Sequence, residues 1–506
     1  MGRPSGAGTL GSSIACLQLI RPALAAALLL VLGAGCHSEE KAADLEPTAP
    51  TQRFVSRPDL LPPRVELAQP PRGAVPGLIF LAPKRAVEQA GPMILDEDGD
   101  VVWFRPLDTE GVTDFRTQSY DGRPVLTWWR GKSDKGIGDG HFVIVDDAYR
   151  EIATVTAGNG LTGDIHEFLI TERDTALILI YHRLPRDLST LGGPAEGAIW
   201  EGIVQELDIP SGRVLFEWRS AAHVDVEESY ADVPRADRGA EADAYDYFHV
   251  NSVAEDDDGD LLLSARNTHA IYKVARASGE VVWRLGGKRS DFRLGPGVRF
   301  AWQHDARRQP DGTLTLFDNV ADEPDAGGAS RALALDLDEE AMRATVVREL
   351  EHPSGLLSTT QGNAQFLDDG HVLVGWGSQP FFTEYDGDGR VLLDARFGPR
   401  GGETDSYRAY RFAWEGRPAD DPVLVLRPAP NGGRTAYVSW NGATEVARWQ
   451  LLAGPDPQHL RPLVTVAADG FETAIAFTTG ESMVGARALN ERGAVIGTSP
   501  AERLGE

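Results

Sequence analysis

From Gly77 to Trp414 the chain repeats one pattern: apolar alternation, an Asp/Gly turn, then apolar alternation ending in an aromatic residue. Val, Leu, Ile and Trp at every second position bury one face of a strand. Gly in the turn supplies the positive φ that a tight reversal needs, so each unit predicts a β-hairpin. Two kinds alternate. One reads Ile94-Leu-Asp-Glu-Asp-Gly-Asp-Val-Val-Trp103 and recurs near 143–155, 204–218, 271–283, 333–347 and 382–393. The other reads Pro310-Asp-Gly-Thr-Leu-Thr-Leu-Phe317 and recurs near 118–129, 168–181, 253–264 and 364–376. With a leading strand at Leu78–Leu81 and a trailing one at Tyr410–Trp414, the hairpins make 24 strands. Four-stranded units of this length predict an all-β, six-bladed β-propeller over 61–417, with first and last strands sharing a blade so that no edge is left open.

Beyond the repeat, Pro422-Val-Leu-Val-Leu426, Thr435–Gly442, Glu445–Leu452, Leu463-Val-Thr-Val466 and Met483–Asn490 read as short strands at sandwich spacing. They predict a C-terminal immunoglobulin- or fibronectin-III-like β-sandwich over 418–506, a packing or adhesion module without a polar cluster of its own. At the other end, Pro22–Leu32 is an apolar run too short to span a bilayer but suited to a signal peptide. It runs into Gly33-Ala34-Gly35-Cys36, which resembles a bacterial lipobox. Residues 1–36 are therefore expected to direct export. Cys36 is the expected lipidation site, 37–60 a flexible tether, and the outer membrane or cell surface the destination, with the lipid as the only membrane contact. An exported chain meets no ATP or other cytosolic cofactor pool, and no cofactor is expected.

Charge and cysteine narrow the function. A net charge of −27 leaves no broad face able to neutralise phosphates, which argues against nucleic acid. The chain has two cysteines, Cys16 and Cys36, both N-terminal, so the folded part holds neither a disulfide framework nor a Cys-based zinc site. Asp96-Glu-Asp-Gly99, Asp256-Asp-Asp-Gly259 and Asp386-Gly-Asp-Gly389 imitate calcium loops. Ile94 and Ala254 stand where the first ligand of two belongs, and Ala395 where the closing Glu of the third belongs. They read as hairpin turns.

In a propeller the innermost strands ring a central channel, so residues at one phase of the repeat converge there. Counting back about eight residues from the Gly of each second-type hairpin gives Asp114, His166, Asn251 (with His249), His304 and Gly362-Asn363. Three histidines share one phase in consecutive units, and Arg266 ends the strand pair that starts at His249. Imidazoles beside a guanidinium and an amide suit a tetrahedral oxyanion such as sulfate or phosphate, with one neutral His as nucleophile. A three-His metal site is the competing reading; Arg266 would oppose the cation, and no metal is expected. The stretches 219–247 and 183–200 are long for propeller loops and are either disordered or cover the site. In the first, Tyr245, Tyr247 and Phe248 either stack on a substrate ring or pack the blade.

Gly163-Asp-Ile-His-Glu-Phe168, Asp246-Tyr-Phe-His-Val-Asn-Ser252, Ser264-Ala-Arg266, Trp302-Gln-His-Asp-Ala306 and Gly362-Asn-Ala-Gln365 together resemble the bacterial arylsulfotransferase family. Leu373-Val-Gly-Trp-Gly-Ser-Gln-Pro380 resembles the branch shared by actinobacteria and fungi. The likeness runs from about Ser56 to Ser439. It implies a six-bladed propeller that moves a sulfuryl group from a phenolic sulfate ester to a phenol without phosphoadenosine phosphosulfate. By that resemblance His304 is the nucleophile that forms a sulfohistidine. His249, Asn251 and Arg266 hold the sulfate oxygens, and His166 protonates the leaving phenolate or deprotonates the acceptor. Asn363 and Tyr247 join Asn251 as expected substrate contacts. The better-known members carry a disulfide and an N-terminal β-domain, whereas this chain has its extra domain at the C-terminus. A non-catalytic surface propeller that binds a sulfated or anionic ligand, and an aryl sulfatase, are the alternatives.

Overall fold

Each hairpin read from the sequence is an antiparallel strand pair in the computed structural model, which describes residues 49–107, 111–241, 243–320, 328–367, 369–430 and 432–504. Among these, six antiparallel meanders precede residue 413. The first joins the two ends of the repeat: Ala409–Phe412 pairs with Leu78–Leu81, which continues into Met93–Leu95 and Val101–Phe104. The other five begin at Gly111–Tyr120, Phe168–Ile170, Val250–Glu255, His304–Arg308 and Asn363–Phe366. Two short strands were not legible as alternation: Glu66–Gln69 extends the last meander, and Arg293–Leu294 runs parallel to the outer strand of the fifth.

Every meander buries apolar side chains against the next. Trp103 and Phe80 meet Trp128 and Val143, and Phe142 meets Phe168 and Ile178. Leu179 and Val204 meet Val253 and Leu263, and Leu262 and Ile271 meet Leu314 and Leu333. Phe317 and Leu350 meet Val374 and Trp376, and finally Leu373 and Phe382 meet Ile79 and Leu95 of the first meander. The series thus returns to its start. The Asp-Gly turns work as read: the Oδ1 of Asp96 accepts from the N–H groups of Asp98 and Asp100 at 3.0 and 2.8 Å, and that of Asp386 from Asp388 and Arg390 at 2.9 and 2.8 Å.

After the repeat, Val423–Pro428, Arg434–Ser439 and Glu472–Phe477 form one sheet, and a second is built on Arg448–Gly454 and Met483–Leu489. Leu424, Val438 and Ile475 of the first share a core with Trp449, Leu451 and Val484 of the second. Glu472–Phe477, whose small alanines blur the alternation, escaped the sequence reading. These sheets also hold residues 54–56. Glu472 accepts from the N–H of Val55 at 3.1 Å and from Ser56, the Ser56 hydroxyl meets that of Ser439 at 2.8 Å, and Phe54 packs on Phe471. Residues 49–60, read as part of a flexible tether, are therefore fixed by hydrogen bonds and by burial of Ser56 and Leu60. The signal segment, Cys36 and residues 37–48 lie outside the described residues. No helix among the described residues is long and apolar enough to cross a membrane.

Candidate functional site

Residues at or just before the first strands of the third, fourth and fifth meanders meet at one cavity of about 400 Å³, with loop residues of the others. His166, His249, His304 and Arg266 all line it. The rings of His166 and His249 meet edge to face, 5.0 Å between centroids, and the ring of Tyr407 lies 5.6 Å from His166 and 6.3 Å from His304. The three histidines of the phase counted from the sequence are thus a spatial cluster.

The three histidines differ in what their Nδ1 atoms touch. His166 Nδ1 hydrogen-bonds Asp164 and His249 Nδ1 hydrogen-bonds Asp246. His304 Nδ1 faces an amide, Asn319 Oδ1, at 2.7 Å. The Nδ2 of Asn319 donates to the carbonyls of Ser358 and Gln361 at 2.8 and 2.9 Å, so its Oδ1 must point at the ring and accept. The proton of neutral His304 therefore sits on Nδ1, and the lone pair is on Nε2. There it accepts a long hydrogen bond, 3.3 Å, from the N–H of Gln361. Burial holds the pKa of His304 well below the ordinary imidazole value; the hydrogen bond with Asn319 pulls it back up, and the nearby charges of Arg266 and the other histidines add to the lowering. Burial also lowers His249, against the pull of Asp246. Among the described residues no group of three or more His, Cys, Asp or Glu is arranged to hold a metal.

Four cations, Lys84, Arg85, Lys135 and Arg266, outnumber the carboxylates Asp246 and Asp405 in the rest of the lining. Arg266 stacks on Trp302, 3.7 Å above the ring, and donates to Asn267 Oδ1 at 2.9 Å. Lys84 and Arg85 share the fully buried carboxylate of Asp405, and Lys84 also donates to Gln361 Oε1 at 3.1 Å. Gln361 has a left-handed backbone (φ 66°), followed by Gly362 at 102°. A Cβ on Gly362 would stand 2.5 Å from the Phe317 ring, so only glycine allows this turn, which aims the Gln361 N–H at His304.

Three expected contacts are not brought to the cavity. Asn251 is fully buried and spends its Nδ2 on the carbonyl of Gln303 at 2.7 Å. A β-bulge between Val250 and Ser252 turns it away, as a one-residue slip does on any strand. Asn363 clips neighbouring strands instead, donating to the Ala409 carbonyl and accepting from its N–H at 2.8 and 2.9 Å. Tyr247 packs with Tyr245 and Phe248 in the core and bonds the Ser220 hydroxyl at 2.8 Å. Within the stretch 219–247, buried Glu228 bonds Tyr272 and Arg284, and Tyr230 stacks on His269.

Lys84, Asp405 and Tyr407 were missed because they belong to the meander made from both chain ends, which has no histidine to mark the phase. Counting about eight residues back from Gly416 would have reached the neighbourhood of Tyr407, but not Lys84. Beneath the cavity lies a second feature. Glu167, Asp114 and Asp305 bind Arg116, Arg307 and Arg408 in one buried ionic network. Three of its six members, Glu167, Asp305 and Arg408, follow the lining residues His166, His304 and Tyr407 by one position.

Three histidines and a set of cations around one cavity are a chemistry that suits a small oxyanion. The arylsulfotransferase (ASST) family model matches residues 116–398, more than half of the sequence, and the chain belongs to that family. Membership supports a sulfotransferase-type function and implies phenolic substrates in general. No curated protein matches. Similar solved structures include a protein of unknown function from Bacteroides caccae (11% identity, TM-score 0.40, covering 67% of this chain and 99% of that one). A protein from Lactobacillus plantarum is 12% identical at TM-score 0.35, covering 79% and 99% of the two chains. The virginiamycin B lyase of Staphylococcus aureus is 7% identical at TM-score 0.33, covering 65% and 88%.

Proposed function

We propose that this protein is an exported aryl sulfotransferase that passes a sulfuryl group from a phenolic sulfate ester to a phenol through a sulfohistidine on His304. The observation that carries the reading is the tautomer of His304: the Asn319 amide keeps the proton on Nδ1, and burial keeps the ring neutral, so Nε2 offers a lone pair to a cation-lined cavity. In the first half-reaction Nε2 attacks sulfur, the ester S–O bond breaks, and the phenolate leaves with the electron pair. In the second, the acceptor phenol oxygen attacks the same sulfur and loses its proton, and the N–S bond breaks. Arg266 and the Gln361 N–H stand where they can take charge from the sulfuryl oxygens, the N–H exchanging its long bond to Nε2 for one to the transferring group. His166, paired with Asp164, exchanges the phenolic proton.

The six meanders, each packed on the next and the last on the first, support a six-bladed ring, and the two C-terminal sheets with their shared core support an immunoglobulin-like sandwich. The apolar Pro22–Leu32 run and Cys36 support export and lipid anchoring. Incubation with donor alone tests the mechanism. It should release about one equivalent of phenol in a burst and leave a protein heavier by one sulfuryl group, acid-labile and mapping to His304, and double-reciprocal plots should be parallel. Intersecting lines with no labelled protein would replace the covalent route by direct transfer.

A further inference from the structure

The cavity has more positive charge than a simple phenyl sulfate calls for. Small-molecule sites are usually lined by apolar and aromatic side chains with a few polar groups. Here Ile165 and Tyr407 are the apolar or aromatic contribution, apart from the histidines. Besides Arg266, the lining includes Lys84, Arg85 and Lys135 against the carboxylates of Asp246 and Asp405, in a chain whose net charge is −27. Lys135 pairs with Asp243 at the surface, both mostly exposed, and such a pair is worth little. The other two are different. Asp405 is fully buried and serves both Lys84 and Arg85, so this group keeps one positive charge in excess. Lys84 is nearly enclosed, whereas the Arg85 side chain is 53% exposed and can turn towards a ligand. Gln361 joins the group to the reacting centre: its N–H meets His304 Nε2 and its Oε1 accepts from Lys84. An anion seated on Lys84 and Arg85 would thus lie one residue away from the sulfuryl group on His304.

Resting on the proposed reading of this site, we infer that its substrates are aryl sulfate esters that carry a second anionic group, a carboxylate or another sulfate, held by Lys84 and Arg85 beside Gln361. An uncharged ring would leave the excess charge unmatched, while a second anion would gain charge-assisted hydrogen bonds in a partly enclosed site.

Binding of stable sulfonates tests this without turnover, so its outcome is separate from that of the sulfohistidine assay. Calorimetry on the purified protein compares benzenesulfonate with 3- and 4-sulfobenzoate. At least one sulfobenzoate should bind about tenfold more tightly, the value of one charge-assisted hydrogen bond. Arg85→Gln should reduce that preference to below about threefold, and Arg85→Lys should restore most of it. Equal affinities in the parent protein, no binding of any of the three, or a preference that survives Arg85→Gln would each overturn the inference.

Discussion

Asn319 fixes the tautomer of His304, its Oδ1 lying 2.7 Å from Nδ1 because its Nδ2 is already committed to two carbonyls. An amide here has a consequence that a carboxylate would not: it orients the ring while stabilising the imidazolium less than a full negative charge would. His166 and His249 face Asp164 and Asp246 instead, as suits groups that carry a proton in transit. Asn319→Asp should therefore raise the pKa of His304 and move the acid limb of the pH–rate profile upward by about one unit or more. In the parent protein that limb should fall below pH 6.5, not at it, because burial lowers His304. An unchanged limb in the variant would remove His304 from the rate-determining protonation.

Much of this was legible in the sequence. Period-two alternation around Asp-Gly is a local signal, and local signals survive folding: the Ile94–Trp103 hairpin forms with Ile94 opposite Trp103. The shared phase of His166, His249 and His304 was legible because the meanders repeat one geometry. Asn251 was misplaced by the same arithmetic, because a bulge adds a residue that no alternation reveals. Lys84, Asp405 and Gln361 acquire their roles only when the two ends of the repeat pair, a contact more than three hundred residues long that leaves no local mark.

The histidines and Glu167 should lower stability in two stages as pH falls. His304 and His249 have folded pKa values below 6.5, so beneath that value the unfolded chain takes up protons that the folded chain refuses, and stability drops as pH falls. Glu167 acts lower. Burial pushes its pKa up, but Arg307, Arg408 and Arg116 more than offset this and hold it well below the usual 4.5. Its contribution is present above 4.5 and is lost as pH falls further. Asp96 and Asp318, raised by burial to about 6, act in the opposite sense. Melting curves from pH 8 to 4 should therefore show the histidine loss below about 6.5 as the difference between the parent and His304→Ala, and a steeper decline below about 4.5. Glu167→Gln should remove part of the second stage and cost about 3–5 kcal/mol near neutral pH, since three buried guanidinium groups lose a shared counter-charge.

His304→Ala should lower transfer by several orders of magnitude, as the loss of a covalent nucleophile does. It should also reduce stability by about 1–3 kcal/mol, because Asn319 Oδ1 loses its donor in a buried position. A structural role alone would give the stability loss without the loss of transfer. Parallel measurements of melting temperature and of phenol release distinguish the two.

His166 offers a sharper test, because its expected role depends on the donor. With Asp164 on Nδ1, the other ring nitrogen can protonate a leaving phenolate or take the proton of an acceptor phenol. A nitrophenolate leaves readily without help, whereas an unsubstituted phenolate, whose acid has a pKa of about 10 like tyrosine, needs the proton as the S–O bond breaks. His166→Asn should slow the burst from phenyl sulfate by about 10²–10⁴-fold, the usual worth of a general acid, and slow the burst from 4-nitrophenyl sulfate far less. Rates for a series of substituted phenyl sulfates should then fall more steeply with phenol pKa in the variant than in the parent. Equal losses across the series would make His166 a support for the Tyr407 and His249 rings that it touches, and the acid would have to be sought at His249, which has its own carboxylate in Asp246 and lines the same cavity.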